Sequence, residues 1–198
     1  MAPPQPDRSS VPDAEIVRLV RDGETAAFAE LVRRTRRPAY RLARRITRNH
    51  EDADDVVQES YAKAYRALHR YDPSRAFGPW LLTIVARTAL SQLRRGVLRA
   101  AAPLDEPAGE EGVALGERLA NPAENPDARH RLFDVERAFA RLSDEHRAIL
   151  ALRVEGDLPY AEIAEALEVP AGTVMSRLAR AREALVEEMR KQERGGQR

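Results

Sequence analysis

The chain has 198 residues, 43% of them hydrophobic, 33% charged and only 5% aromatic, with a formal net charge of +1. That apolar content supports real cores and argues against wholesale disorder, and the dominance of Ala, Leu, Arg and Glu favours an all-helical chain. No cysteine is present, which excludes disulfides, thiolate zinc sites and cysteine nucleophiles; no run approaches the ~18 apolar residues of a membrane helix.

Residues 1–12 are Pro-rich and polar, without the apolar stretch of a signal peptide, so a cytoplasmic protein is expected. Asp13 is placed to cap a first helix carrying Ile16, Val17, Leu19 and Val20, which Asp22-Gly23 ends. A second helix from about Glu24 buries Phe28, Leu31 and Val32. Pro38 is expected to interrupt it before a third segment with Tyr40, Leu42, Ala43 and Ile46. The clearest helix runs from Ala53 to Leu68, with apolar or small residues recurring at 3-4 spacing. A turn-rich loop follows at Tyr71 to Ser74. A long helix then runs from Phe77 to Arg95, with Pro79 in its first turn and Trp80 more plausible as core than as a stacking platform.

Between 101 and 126 apolar periodicity is lost, and seven Pro and Gly residues punctuate positions 103–126. So long a structureless stretch is better read as a flexible linker than as part of one compact domain. Periodicity resumes with Leu132, Val135, Phe139 and Leu142. Ser143 is placed to cap a helix from Asp144 to Val154, and two more helices follow, Pro159 to Leu167 and Ala171 to Met189. The tail from Lys191 is polar and expected to fray. The pattern therefore predicts two helical bundle domains, 13–100 and 127–190, joined by a linker at 101–126, with a disordered segment at 1–12 and a tail at 191–198. Limited proteolysis should cut first within 101–126 and leave two resistant fragments; uniform resistance would count against independent domains.

Charge is distributed in blocks. Residues 31–50 hold eight Arg and no acid, residues 51–59 five acids and no base, residues 60–102 eight bases and one acid, and residues 103–126 six acids and one Arg. Such blocks suit surfaces that meet partners of opposite sign, although a solvated helix face has the same look.

Three constellations stand out. At about 100° per residue, Asp55, Gln58 and Glu59 share one helix face opposite the apolar stripe; this suits docking to a basic helix, or compensation of the helix dipole. The helix after the loop carries Arg87, Gln92, Arg94, Arg95 and Arg99 on its polar side, beside Tyr71, Ser74, Arg75 and Phe77; cations near polar and aromatic groups suit single-stranded DNA. In LPYAEIAEALEVPAGTVMSRLARAREAL, residues 158–185, two helices join through a short turn, as in a helix-turn-helix. Its second helix offers Thr173, Ser176, Arg177, Arg180 and Arg182 for bases and phosphates. A plain helical hairpin with a solvated Arg-rich face fits the spacing too. Enzyme signatures are weak: there is no Gly-rich phosphate loop and no HExxH, and His50, His69, His130 and His146 are dispersed without metal-ligand spacing. No catalytic residue, metal or cofactor is expected.

In this order and with this linker, the constellations resemble the extracytoplasmic-function sigma factors of bacterial RNA polymerase. DADDVVQESYAKAYRALHRY looks like that family's core-binding helix, FGPWLLTIVARTALSQLRR like its −10-reading and melting helix, and LPYAEIAEALEVPAGTVMSRLARARE like its −35-reading helix-turn-helix. The resemblance implies a non-enzymatic initiation factor that binds core RNA polymerase and promoter DNA and is held by an anti-sigma factor. Asp55, Gln58 and Glu59 would meet the beta-prime clamp helices. The loop Tyr71 to Phe77 would hold a flipped non-template base. Arg87, Gln92, Arg94 and Arg95 would meet the −10 element. Two positions depart from the pattern: Met175 stands where relatives often carry Lys or Arg, and Glu168 where they often carry Gly in the turn. A helix-turn-helix regulator acting without polymerase would not need the acidic docking face. A helical protein-binding adaptor would not need arginines on the recognition helix.

Overall fold

The structure, a computed structural model, describes residues 8–97 and 126–195, so Arg99 and residues 101–125 of the expected linker lie outside the described residues, while Pro126 opens a helix. Among the described residues all regular structure is helical: α1 (Asp13–Arg21), α2 (Phe28–Thr47), α3 (His50–Ala67), α4 (Phe77–Val97), α5 (Pro126–Ala140), α6 (Asp144–Val154), α7 (Tyr160–Leu167) and α8 (Ala171–Gly195), with 3-10 turns at Thr25–Ala27 and Leu68–Arg70.

In the first unit α2, α3 and α4 pack pairwise, and α1 lies on α2. Leu31, Ala39, Leu42, Ala43 and Ile46 of α2 meet Ala53, Val56 and Ala64 of α3 and Phe77, Leu81, Val85 and Ala89 of α4, all fully buried. The alanines let helix axes approach closely, while each large aliphatic side chain contributes about 1.5–3 kcal/mol by leaving water. In the second unit α8 packs on α5, α6 and α7 through Val174, Leu178 and Ala181.

Three expectations change. Pro12, not Asp13, is the N-cap of α1, and Asp13 instead pairs with Arg34 at 2.6 Å. Pro38 lies inside a continuous α2: the buried stripe on both sides of it outweighs the ~3 kcal/mol a helical proline can cost. Nor does the chain fray at Lys191. α8 continues to Gly195, helped by the Lys191–Glu188 pair at 2.6 Å and by α5 packed along it.

The two units are packed against each other, α6 on α2 and α4 and α7 on α4. Arg147 of α6 sits inside this seam, 2% exposed. Its guanidinium donates to the Leu142 carbonyl at 2.6 Å and the Ile46 carbonyl at 3.3 Å, satisfying an end carbonyl of α2, and pairs with Asp144. Burial pushes its pKa down from the usual arginine value, against the pull of Asp144. Gly156 is required by proximity: a Cβ there would fall 2.7 Å from the Leu152 carbonyl oxygen and 3.5 Å from Leu82 Cδ1 of the first unit.

Candidate polymerase and nucleic-acid interfaces

The acidic face of α3 is set by its cap. Asn49 accepts from the Asp52 N–H at 2.7 Å, starting the helix three residues before the expected Ala53 and turning Val56, Val57 and Ser60 inward. Asp55 and Gln58 are thereby left exposed. Glu59 differs from them: it is held by Lys63 at 2.8 Å and by the Gln92 amide at 3.2 Å. The hydrogen bond from Lys63 is the main reason its carboxyl lies below the usual range, burial opposing it. The polar face of α3 is thus two exposed polar groups beside a carboxylate tied to α4.

The loop between Arg70 and Phe77 is built from inside. Tyr71 is 2% exposed, its ring packed on Phe77 and Trp80 and its hydroxyl donating to the Arg75 carbonyl. Burial, with Asp13 and Asp72 nearby, pushes its pKa up, so the hydroxyl keeps its proton. Arg21 of α1 donates to the carbonyls of Leu68 and Tyr71, and the Ser74 N–H donates to Asp72 at 2.9 Å. Tyr71 therefore shapes the loop from within, and Ser74 and Arg75 stand at its rim. Arg21 gave no signal in sequence, because its partners are backbone carbonyls some fifty positions away.

On α4, Arg87, Ser91, Arg94 and Arg95 follow one helical face, and Arg95 donates to Ser91 at 2.9 Å. Arg94 and Arg95 are exposed, whereas Gln92 is turned towards Glu59. Arg75 and Arg87 are engaged by the second unit. Arg75 meets Glu162 and Glu165, each at 3.3 Å, and Arg87 meets the Glu165 carbonyl and, at 3.9 Å, Glu168. Burial lowers the pKa of Arg75, but the Glu162 hydrogen bond and the charges of both glutamates outweigh it, so the net direction is upward.

α7 and α8 form the helix-turn-helix, with Ile163, Ala164, Val174 and Leu178 buried between them. Glu168 closes α7 in the left-handed region at φ 55°, and the Val169 N–H returns to the Ala164 carbonyl at 3.0 Å. A residue with a Cβ pays about 1–2 kcal/mol there. We expect Glu168→Gly to raise stability by a net ~0.5–1 kcal/mol after glycine's larger unfolded-state entropy, measured by denaturant melting; unchanged or lowered stability would show the turn to be unstrained. The partners of Glu168 matter little to this balance, since its side chain is 72% exposed.

At about 100° per residue, Thr173, Arg177 and Arg180 run along one flank of α8, Met175 and Arg182 along the other, and Ser176 lies between. Met175 is 66% exposed, and Ser176, Arg180 and Arg182 are exposed too. Arg177 lies 3.8 Å from Glu145 of α6. The exposed edge of α8 is thus a ridge of hydroxyls and guanidinia narrow enough for a DNA groove. Among the described residues no group of three His, Asp or Glu is placed to hold a metal, and no helix is long and apolar enough to cross a membrane.

Comparison with known proteins matches these two units separately. The Sigma-70 region 2 family matches residues 31–98, and the Sigma-70, region 4 family matches residues 132–185. Among curated relatives, the chain is 35% identical over 177 residues to the ECF RNA polymerase sigma-E factor of Escherichia coli (strain K12), covering 87% of this chain and 92% of that protein. It is 35% identical over 173 residues to ECF RNA polymerase sigma factor SigM of Mycobacterium tuberculosis (strain ATCC 25618 / H37Rv), covering 86% and 81%. Among solved structures, sigma factor RpoE from Bartonella quintana, determined with the anti-sigma factor NepR, has a TM-score of 0.62 at 24% identity, covering 82% of this chain and 96% of that one. CnrH, determined with the cytosolic domain of CnrY, has a TM-score of 0.60 at 24% identity, covering 88% and 95%; at this identity both speak for the fold. With region 2 and region 4 in order and relatives of this likeness along most of its length, the chain belongs to the extracytoplasmic-function sigma factors of RNA polymerase.

Proposed function

We propose that the chain docks on the beta-prime clamp helices of core RNA polymerase through Asp55, Gln58 and Glu59, and reads promoters with two separate surfaces. The exposed rim of the 71–76 loop, Ser74 and Arg75, together with Arg87, Arg94 and Arg95, meets the −10 element as melted non-template strand. Tyr71 and Gln92 act from behind: one shapes the base pocket and the other ties α4 to Glu59. Thr173, Ser176, Arg177, Arg180 and Arg182 meet the −35 duplex. The chain acts through binding and strand-opening equilibria.

The observation that carries this reading is the presence, in one chain, of an exposed acidic face on α3 and an exposed Arg-rich edge on α8, on units separately matched to regions 2 and 4. Of the two solved structures above, the sigma factor RpoE was captured with the anti-sigma factor NepR; we infer an anti-sigma partner for this chain as well. Promoter opening is tested by permanganate reactivity of −10 thymines on a cognate promoter. Reactive non-template thymines should appear with core polymerase plus chain and not with core alone; an unreactive −10 in a bound complex would contradict the melting role.

A further inference from the structure

Apart from Arg147, which reaches the Ile46 carbonyl from the second unit, charges along the seam between the two units are sorted by side. The first unit contributes arginines: Arg45 reaches Glu155 at 3.2 Å and Glu136, Arg48 the Ala140 carbonyl at 3.0 Å, Arg75 Glu162 and Glu165, and Arg87 the Glu165 carbonyl and Glu168. The second unit supplies the carboxylates. Glu162 and Glu165 of α7 and Glu168 at its C-cap recur every third position, so this end of α7 carries a row of negative charge against α4. Two of the arginines they hold are those assigned above to the −10 strand.

A guanidinium engaged by a carboxylate has fewer free N–H donors and less uncompensated positive charge to offer a phosphate or a base. The recognition edge of α8 is not engaged across the seam: Arg177 lies 3.8 Å from Glu145 of its own unit, and Met175, Ser176, Arg180 and Arg182 remain exposed while α7 faces the first unit. The seam is also incompletely satisfied. Nε of Arg87, Nε of Arg147 and Oε2 of Glu162 are buried without a hydrogen-bond partner among the described residues. The outer pairs are partly exposed, with side chains of Arg75 34%, Glu165 42% and Arg87 41% exposed, so salt weakens them.

We propose that the acidic edge of α7 is an intramolecular phosphate mimic: in the closed chain it occupies Arg75 and Arg87 and masks the −10 surface while leaving the −35 surface available. This rests on the reading of Arg75 and Arg87 as DNA contacts. Apparent affinity for single-stranded DNA is then reduced by the fraction of chains that are closed, and loosening the seam restores it.

The test uses the full chain and the isosteric, neutral triple variant Glu162→Gln/Glu165→Gln/Glu168→Gln. Fluorescence anisotropy would follow binding of a random-sequence single-stranded oligonucleotide and of a random-sequence duplex. Because the chain lacks cysteine, Ala26→Cys and Glu187→Cys also allow a donor and an acceptor dye to report on the seam. The expected result is a gain of about three- to tenfold for the single strand, duplex binding changed by less than about twofold, and lower energy transfer. An unchanged single-strand affinity overturns the mask. Adding Arg75→Ala and Arg87→Ala to the triple variant then separates the two claims. If single-strand binding falls, the arginines bind DNA and only the mask is wrong; if it does not, the reading beneath it fails too.

Discussion

Truncating Arg177 or Arg180 to alanine should cost about 1–3 kcal/mol, roughly five- to 150-fold, in −35 duplex binding and relax preference at one base pair. Both lie on the same flank of α8 in its first turns, and this part of a groove-bound helix reaches base edges. Arg182 lies on the opposite flank and further along, so its truncation should weaken all sequences about equally and flatten the salt dependence. Met175, exposed on that second flank, offers apolar contact alone. Met175→Arg should therefore raise general affinity more than specificity. Titration of the full chain against −35 duplex variants at several salt concentrations separates the cases. If Arg177→Ala and Arg180→Ala both leave base preference unchanged, neither is a reader.

Asp55→Ala combined with Glu59→Ala should weaken core polymerase binding by about tenfold or more, the scale of losing charge-assisted hydrogen bonds at about 1.5–3 kcal/mol each. The two sites differ in what else they disturb. Asp55 is exposed and its removal should leave stability within about 0.5 kcal/mol. Glu59 also loses Lys63 and Gln92, so a small destabilisation of the α3–α4 contact should accompany it. Asp55→Ala alone is thus the cleaner probe of docking. Wild-type binding should weaken with rising salt if the partner surface is basic, and wild-type affinity in the double variant would remove α3 as the docking face.

What was legible in the sequence was local. α6 runs from Asp144 to Val154 as read, because Ser143 caps it and accepts from the His146 N–H at 3.3 Å. The turn position of Glu168 was legible as one that favours glycine, and its φ of 55° agrees. The errors came where tertiary packing overrides local preference. Pro38 breaks an isolated helix, but in α2 it is flanked by Thr35, Ala39 and Leu42, all buried. Tyr71 stands in a turn-rich loop among candidate single-strand contacts, and only the fold shows Phe77 and Trp80 packed against its ring. The seam was illegible for a further reason: its pairs, Arg45 with Glu155 and Arg75 with Glu162, lie far apart in sequence and are typical surface residues at each site. Arg147 is the extreme case, a charged residue that ordinarily marks solvent yet is 2% exposed here.

Whether this chain confers promoter specificity on RNA polymerase is decided by transcription in vitro from fragmented genomic DNA of the source organism, with core polymerase alone and with core plus the purified chain. Discrete new start sites are expected only when the chain is present, each preceded by shared −10 and −35 sequences, and lost with Asp55→Ala/Glu59→Ala. A chain that binds those DNA fragments equally well without core polymerase and adds no start sites would contradict that role.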